Sequence, residues 1–341
     1  MVDLVLPQPY LLFLGDITSA PHAKTAFGLR DWARERCVGE YALPGSTVTT
    51  GLPRLTPALA GARGARSLVI GVAPPGGVIS AAWVPALVEA LEAGLDLVSG
   101  MHTRLENVPQ LSAAAARLGR RLINVREPPA GLTVGTGRKR TGKRLLTVGT
   151  DCALGKKYTA LSLTREFKKR GVDADFRATG QTGILIAGRG IPIDSVVADF
   201  VAGAAETLSP DAAPSHWDVV EGQGSVLHPS YAAVSLGLLH GTQPDVIVMC
   251  HEIGRDRVLG LEDYATPGIS EAIELTLTLG RRTNPKVRCV GVSLNTSRLS
   301  EDQARAALVD YGVKLGLPVA DPLRSGPELD RLVDACLTGQ P

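Results

Sequence analysis

Short apolar runs that stop at or near a glycine recur along nearly the whole chain, each followed by a stretch with helical spacing of apolar residues. This alternation restricts the fold more than any other feature. Strands joined by helices must cross over and pair in parallel, so the chain is expected to be α/β. In the first half the spacing predicts strands over 10–15, 67–72, 95–99 and 121–124, and a helix over 84–93 (VPALVEALEA) with Gly94 as its C-cap.

Between 128 and 143 the pattern lapses into PPAGLTVGTGRKRTGK, where Pro, Gly and cations displace the apolar period. A domain boundary is expected there, giving domains over 1–135 and 136–341. The series then resumes with strands over 144–148, 173–178, 218–220, 246–250 and 287–294, and with helices over 156–170, 194–207, 231–239, 270–279 and 300–315. That order predicts a doubly wound parallel sheet. Ligands of such sheets bind beyond the carboxyl ends of the strands, which directs attention to 149–156, 179–183, 221–224, 251–255 and Asn295.

A length of 341 residues suits two such domains, and the 44% apolar content supplies their cores. Thirty-six basic against 34 acidic residues leave a net charge of +2, which argues against a nucleic-acid or membrane surface and for a small, partly anionic ligand. The opening MVDLVLPQPY has neither the basic start nor the apolar length of a leader, and no uncharged stretch is long enough to span a bilayer. The five cysteines are scattered without CxxC spacing, and the histidines form no HxxxH or HExxH pair. The expectation is a reduced, cytoplasmic protein without a zinc or other transition-metal site.

The strongest local motif is LLTVGTDCALGKKYTAL, an apolar strand entering a glycine-flanked turn from which Gly155-Lys156 opens a helix. Backbone N–H groups of such a turn and of the first helical turn form a cradle for phosphate oxygens, and Lys156 adds a cation. The predicted cradle is Gly149, Thr150, Asp151, Cys152, Ala153, Leu154, Gly155, Lys156, Lys157, Tyr158 and Thr159. Two departures from GxxxxGK[ST] stand out. Gly149 precedes Gly155 by one residue more than the motif requires, and Lys157 replaces the hydroxyl residue that holds Mg²⁺. A diphosphate neutralised by two lysines fits the loop, as coenzyme A or as ATP.

The stretch from Gly149-Thr150-Asp151 to Gly155-Lys156 resembles the GTDTxxGK loop of dethiobiotin synthetase and related P-loop enzymes. Arg177-Ala178-Thr179-Gly180 is similar to that family's substrate-holding second strand, Val219-Val220-Glu221-Gly222-Gln223-Gly224 to its acidic strand end, and Asn295 to the Asn that reads the purine ring. Upstream, LVIGVAPPGG and VEALEAGLDLVSGMHTRLENVPQL resemble the nucleotide-fold domain of the succinyl-CoA ligase α-subunit, though without a GxGxxG fingerprint. The order of a Rossmann-like domain, a basic linker, GTDCALGKK, ATGQTG and VVEGQGS resembles, over nearly the full length, a bacterial family described as a domain of unknown function. Some of its members are D-glutamate N-acetyltransferases.

That resemblance implies a Rossmann-like N-terminal domain and a P-loop C-terminal domain, acetyl-CoA as donor and the amino group of a D-amino acid as acceptor. On this reading the substrate contacts are Arg177, Thr179, Gly180, Gln181 and Thr182. The base that takes the acceptor's proton is Glu221 or, second, His251 beside Glu252. Arg255 and Arg257 are either a lid and anion contact or a solvated charge run. Cys152 is either a transient acyl carrier or a small residue fitted to the turn. The rival reading is an Mg·ATP-dependent ligase or kinase with Lys156 on the γ-phosphate and Glu221 on the metal; a third is a binding protein without catalysis. A homo-oligomer is expected by habit of such enzymes.

Overall fold

The computed structural model describes residues 6–338; the opening residues read for a leader lie largely outside them. The chain forms two units. One comprises Pro129–Thr179 with Ile193–Pro341, and the other Val2–Pro128 with Gly180–Pro192. The fold class is α/β with parallel sheets, as the alternating pattern predicts.

In the first-entered unit, β1 (Tyr10–Gly15), β2 (Cys37–Ala42), β3 (Ser67–Ile70), β4 (Asp96–Ser99) and β5 (Leu122–Asn124) pair in parallel in the order β2-β1-β3-β4-β5. This doubly wound order reverses between β1 and β3, where such sheets open a crevice. Here the indole of Trp83 fills the approach. A Cβ on Gly15 would lie 2.8 Å from the ring, and Trp83 Nε1 donates to Asp16 Oδ1 at 2.8 Å. The helix Gln181–Ala187 also belongs to this unit and packs on the helix Lys24–Trp32, with the Thr25 and Thr182 hydroxyls 3.0 Å apart.

The other unit is built on β6 (Lys143–Gly149), β7 (Ala174–Arg177), β8 (Trp217–Val220), β9 (Val246–Glu252), the antiparallel hairpin β10 (Arg257–Val258) and β11 (Leu261–Ala265), β12 (Arg288–Asn295) and β13 (Val319–Ala320). Its parallel sheet runs β13-β12-β9-β6-β8-β7, with β6 central. Strands covered on both faces read as continuous apolar runs, and β8 and β9 are buried throughout. The helix Lys156–Lys169 buries Thr159, Ala160, Leu163, Thr164 and Phe167 at three- and four-residue spacing, and Phe167 meets Trp217 edge-on at 5.6 Å. On the other side, Met249, Val292, Leu294, Leu308 and Val319 form one core cluster.

The expected helix over 194–207 is shorter than its pattern. Two 3₁₀ turns, Ile193–Ser195 and Ala198–Phe200, precede a helix confined to Val201–Leu208. The β-branched pair Val196-Val197 interrupts it, with Val197 extended at ψ 136. Among the described residues no helix is long and apolar enough to cross a membrane.

Candidate functional site

The loop between β6 and the helix Lys156–Lys169 is shaped by unusual backbone. Gly155 caps the helix at φ 111, and Ala153 takes φ 53, a left-handed conformation that a residue with a Cβ adopts at a cost and that clusters at ligand clamps. The amides of Ala153, Leu154 and Gly155 donate to no group among the described residues. They stand at the N-terminal end of the helix Lys156–Lys169, where the helix dipole favours an anion. Close approach requires glycine at two neighbours. A Cβ on Gly222 would lie 1.7 Å from Thr147 O and 3.1 Å from Lys156 Cδ, and one on Gly149 3.2 Å from Lys156 Nζ. Lys156 is thus folded inward, its Nζ donating to Asp151 O at 2.7 Å. Burial lowers its pKa, partly offset by Cys152, Cys250 and Asp151.

Asp151 is fully buried and ties the loop to the hairpin region. Its Oδ1 accepts from Cys152 N at 2.6 Å, and its Oδ2 accepts from Arg255 Nη1 at 3.1 Å and Leu259 N at 2.9 Å. Arg255 also donates to Cys152 O and pairs with Glu252, which Arg298 meets at 3.1 Å. Arg255 is therefore bound to the loop, whereas Arg257 is exposed at the foot of the hairpin. Thr150 Oγ1 lies 2.9 Å from His251 Nδ1. The strand β9 runs on through Glu252, so His251 stands inside its carboxyl end, and its Nε2 meets no partner among the described residues. Burial and then Arg255 lower the His251 pKa, against an upward pull from Glu252.

Several expected site residues have other work. Thr159 faces the sheet, its hydroxyl 2.7 Å from Ser293 Oγ, because the helix's first turn presents that side to the core. Asn295 reaches the loop, donating to Leu154 O at 3.4 Å while accepting from Ser297 N. Lys157 lies over the Tyr158 ring at 4.9 Å. Arg177 pairs with Asp218 at 2.5 Å and Asp175 at 3.5 Å; both lie back along their strands, so the guanidinium leans away from the carboxyl ends. Glu221 and Thr179 close on each other. Thr179 N donates to Glu221 Oε2 at 3.0 Å, Thr179 Oγ1 donates to Glu221 O, and Gln223 Nε2 donates to Thr179 Oγ1. Gly180 precedes the helix that starts at Gln181, whose side chain packs against Gly100, and Thr182 is buried against Thr25.

His228 carries no motif in the sequence, yet the fold brings it to the loop. Its Nε2 lies 3.6 Å from Asp151 Oδ1, and its ring packs on Tyr231 at 4.7 Å. Ligand atoms of Asp151, Cys152 and His228 all lie within 4.8 Å of one another. The local spacing read above for metal sites has no access to such a group, since its members come from two different loops.

The C-terminal part of the chain, residues 133–333, matches the model of the DUF1611 P-loop domain, a domain of unknown function, and residues 35–128 match the Rossmann-like N-terminal domain of the same family. The chain is 48% identical to a D-glutamate N-acetyltransferase of Pseudoalteromonas sp over 94% of its own length and 97% of the relative's. It is also 48% identical to a D-glutamate N-acetyltransferase of Tritonibacter scottomollicae, over 97% and 99% of the two chains. Among solved structures, that of a DUF1611 family protein from Anabaena variabilis ATCC 29413 superposes with a TM-score of 0.88 at 33% identity, over 97% of this chain and 100% of that one. With its Rossmann-like first unit and the glycine-framed loop that cradles Lys156 in the second, the chain belongs to the DUF1611 family.

Proposed function

We propose that this chain is an N-acetyltransferase that moves an acetyl group from acetyl-CoA to the amino group of a D-amino acid, D-glutamate foremost. The observation that carries this reading is the 48% identity, over nearly the whole of both chains, to two relatives named for that activity. The loop supports the choice of donor. Its open amides and its two lysines suit a diphosphate, and the position that holds Mg²⁺ in ATP-binding loops is Lys157. Thr159, the nearest other hydroxyl, is turned into the core against Ser293, which counts against Mg·ATP.

The acceptor arrives as an ammonium and must lose a proton before its nitrogen attacks the thioester carbon. His251 is suited to take it. When the ring donates Nδ1–H to Thr150 Oγ1, the lone pair sits on Nε2, and the lowered pKa keeps that pair available. Glu221 offers a carboxylate after β8, on the far side of β6 from His251, to hold the ammonium, and Arg257 a cation for the acceptor's carboxylates. As the nitrogen bonds to the carbonyl carbon it sheds a second proton, the carbon–sulfur bond breaks, and CoA leaves as its thiol with one of the two protons while the other passes to solvent. Cys152 serves as a small residue of the turn.

Purified protein given acetyl-CoA and D-glutamate should release CoA thiol and form N-acetyl-D-glutamate, with L-glutamate the poorer acceptor. Calorimetry should show acetyl-CoA binding that Lys156→Ala abolishes, and no comparable binding of ATP·Mg²⁺. Absence of thiol release with any D-amino acid refutes the reading.

A further inference from the structure

His228 is 3% exposed, and its Nε2 has no hydrogen-bond partner among the described residues. Its Nδ1 accepts the backbone N–H of Ser230 at 3.0 Å. A neutral ring that accepts at Nδ1 carries its proton on Nε2. Burial and then the nearby Lys156 oppose a second proton, while Asp151 favours it, and the net effect lowers the pKa. An uncharged N–H therefore faces Asp151 and Cys152 at the phosphate loop. The 3.6 Å to Asp151 Oδ1 is too long for a hydrogen bond, and that carboxylate is already served by Cys152 N, Arg255 and Leu259 N.

Two partners for that N–H edge of the ring can be compared. A metal ion held by Asp151, Cys152 and His228 needs a lone pair on Nε2, which the Ser230 contact denies, and it would face the cations of Lys156 and Arg255. A ligand oxygen needs only the donor that is present. Phosphate oxygens are provided for at the other end of the loop by the open amides and the lysines. An uncharged donor adds most to an oxygen on which charge appears only during reaction, because it stands oriented beforehand.

Resting on the acetyl-transfer reading above, we propose that His228 donates its Nε2–H to the carbonyl oxygen of the acyl thioester and holds the negative charge that develops there. As the amine nitrogen bonds to the carbonyl carbon, the C=O electron pair moves onto the oxygen facing Nε2–H, with no proton transferred. When the C=O bond re-forms, the carbon–sulfur bond breaks and the CoA thiolate departs with the pair; of the two protons the nitrogen gives up, one goes to that thiolate and the other to solvent. Nothing in the sequence around HPSY marks this role; the turn after β8 creates it by locking the ring through Ser230.

The test compares full-length wild type, His228→Ala and His228→Gln, whose amide N–H reaches about as far as Nε2. Thiol release is measured over a range of acetyl-CoA and D-glutamate concentrations, and calorimetry measures binding of CoA lacking the acetyl group. His228→Ala should lower kcat by about 100-fold or more, with KM for acetyl-CoA and affinity for CoA within about threefold of wild type. His228→Gln should recover at least about tenfold of the lost kcat. Should the alanine variant fail to fold, His228→Asn, whose amide stops short of the Nε2 position, replaces it against His228→Gln. A folded alanine variant with kcat within about threefold of wild type overturns the proposal. So does a glutamine variant no better than its comparator, or a CoA affinity that falls in step with kcat, which marks a phosphate contact. Wild type without turnover refutes the acetyl-transfer reading itself, and this role with it; wild-type turnover unaffected by the substitutions refutes this role alone.

Discussion

The imidazole of His251 is held at Nδ1 by Thr150 and feels the charge of Arg255, so the acid limb of the kcat/KM profile tests the role proposed for it. A base acts when deprotonated, and both burial and Arg255 push the His251 pKa down, so the limb should lie below the ordinary imidazole value. Arg255→Ala removes one of these depressing influences and leaves Glu252 pulling upward. The midpoint should then rise, read from pH-dependent thiol release. A limb in the carboxylate range that ignores Arg255 would assign the base to Glu221 instead. At this scale the phosphate loop was legible in the sequence, because a strand, a glycine-flanked turn and a lysine are consecutive residues whose backbone demands are local. His228 and Arg298 were not, since only the sheet order brings their segments to the loop. Arg177 misleads for another reason. Strand alternation tells which face a side chain takes, but not that it leans back along the strand toward Asp218.

Among elements, the buried Arg144 shows what a parallel sheet with charged strand starts requires. Its guanidinium, 0% exposed, donates to Ser209 Oγ at 2.8 Å and to the carbonyls of Arg140, Thr141 and Pro210, and Ser209 in turn donates to Asp218 Oδ2 at 2.5 Å. This chain of contacts joins β6 to β8 and, through Asp218, to Arg177 on β7. Arg144→Leu leaves those carbonyls buried without their donor and takes from Asp218 the positive charge nearby, while Ser209 and Arg177 still reach it. It should cost about 3–5 kcal/mol, seen as a lower urea midpoint for this unit while the fluorescence transition of the other is unchanged. The elements themselves were readable wherever apolar runs were long, as in β1, β6 and β9. The short β13 and the hairpin β10–β11 were not, since strands of two to five residues, buried in β13 and largely exposed in β11, are too short to carry a period.

For the molecule as a whole, the placement of Gly180–Pro192 matters most. Ile184 and Leu185 of that segment are buried, and its helix lies against Lys24–Trp32 within the same unit. A fragment ending at Pro128 lacks this cover over Thr25, Ala26 and Leu29. Such a fragment should bind the apolar dye ANS and unfold less cooperatively than one carrying residues 180–192 on a flexible tether; equal behaviour of the two would show that the helix adds nothing. No local pattern announces this arrangement. ATGQTG reads as a ligand turn whichever unit its second half joins, and the hydroxyl of Thr182 lies 3.0 Å from that of Thr25.

The same arrangement imposes an order on synthesis. As the chain leaves the ribosome, the first sheet can assemble early, but its last helix is made only after the phosphate loop and β7 have emerged. The nascent first unit must therefore wait, with one flank bare, while the start of the second is translated. A pause or truncation before residue 192 would leave both units unfinished.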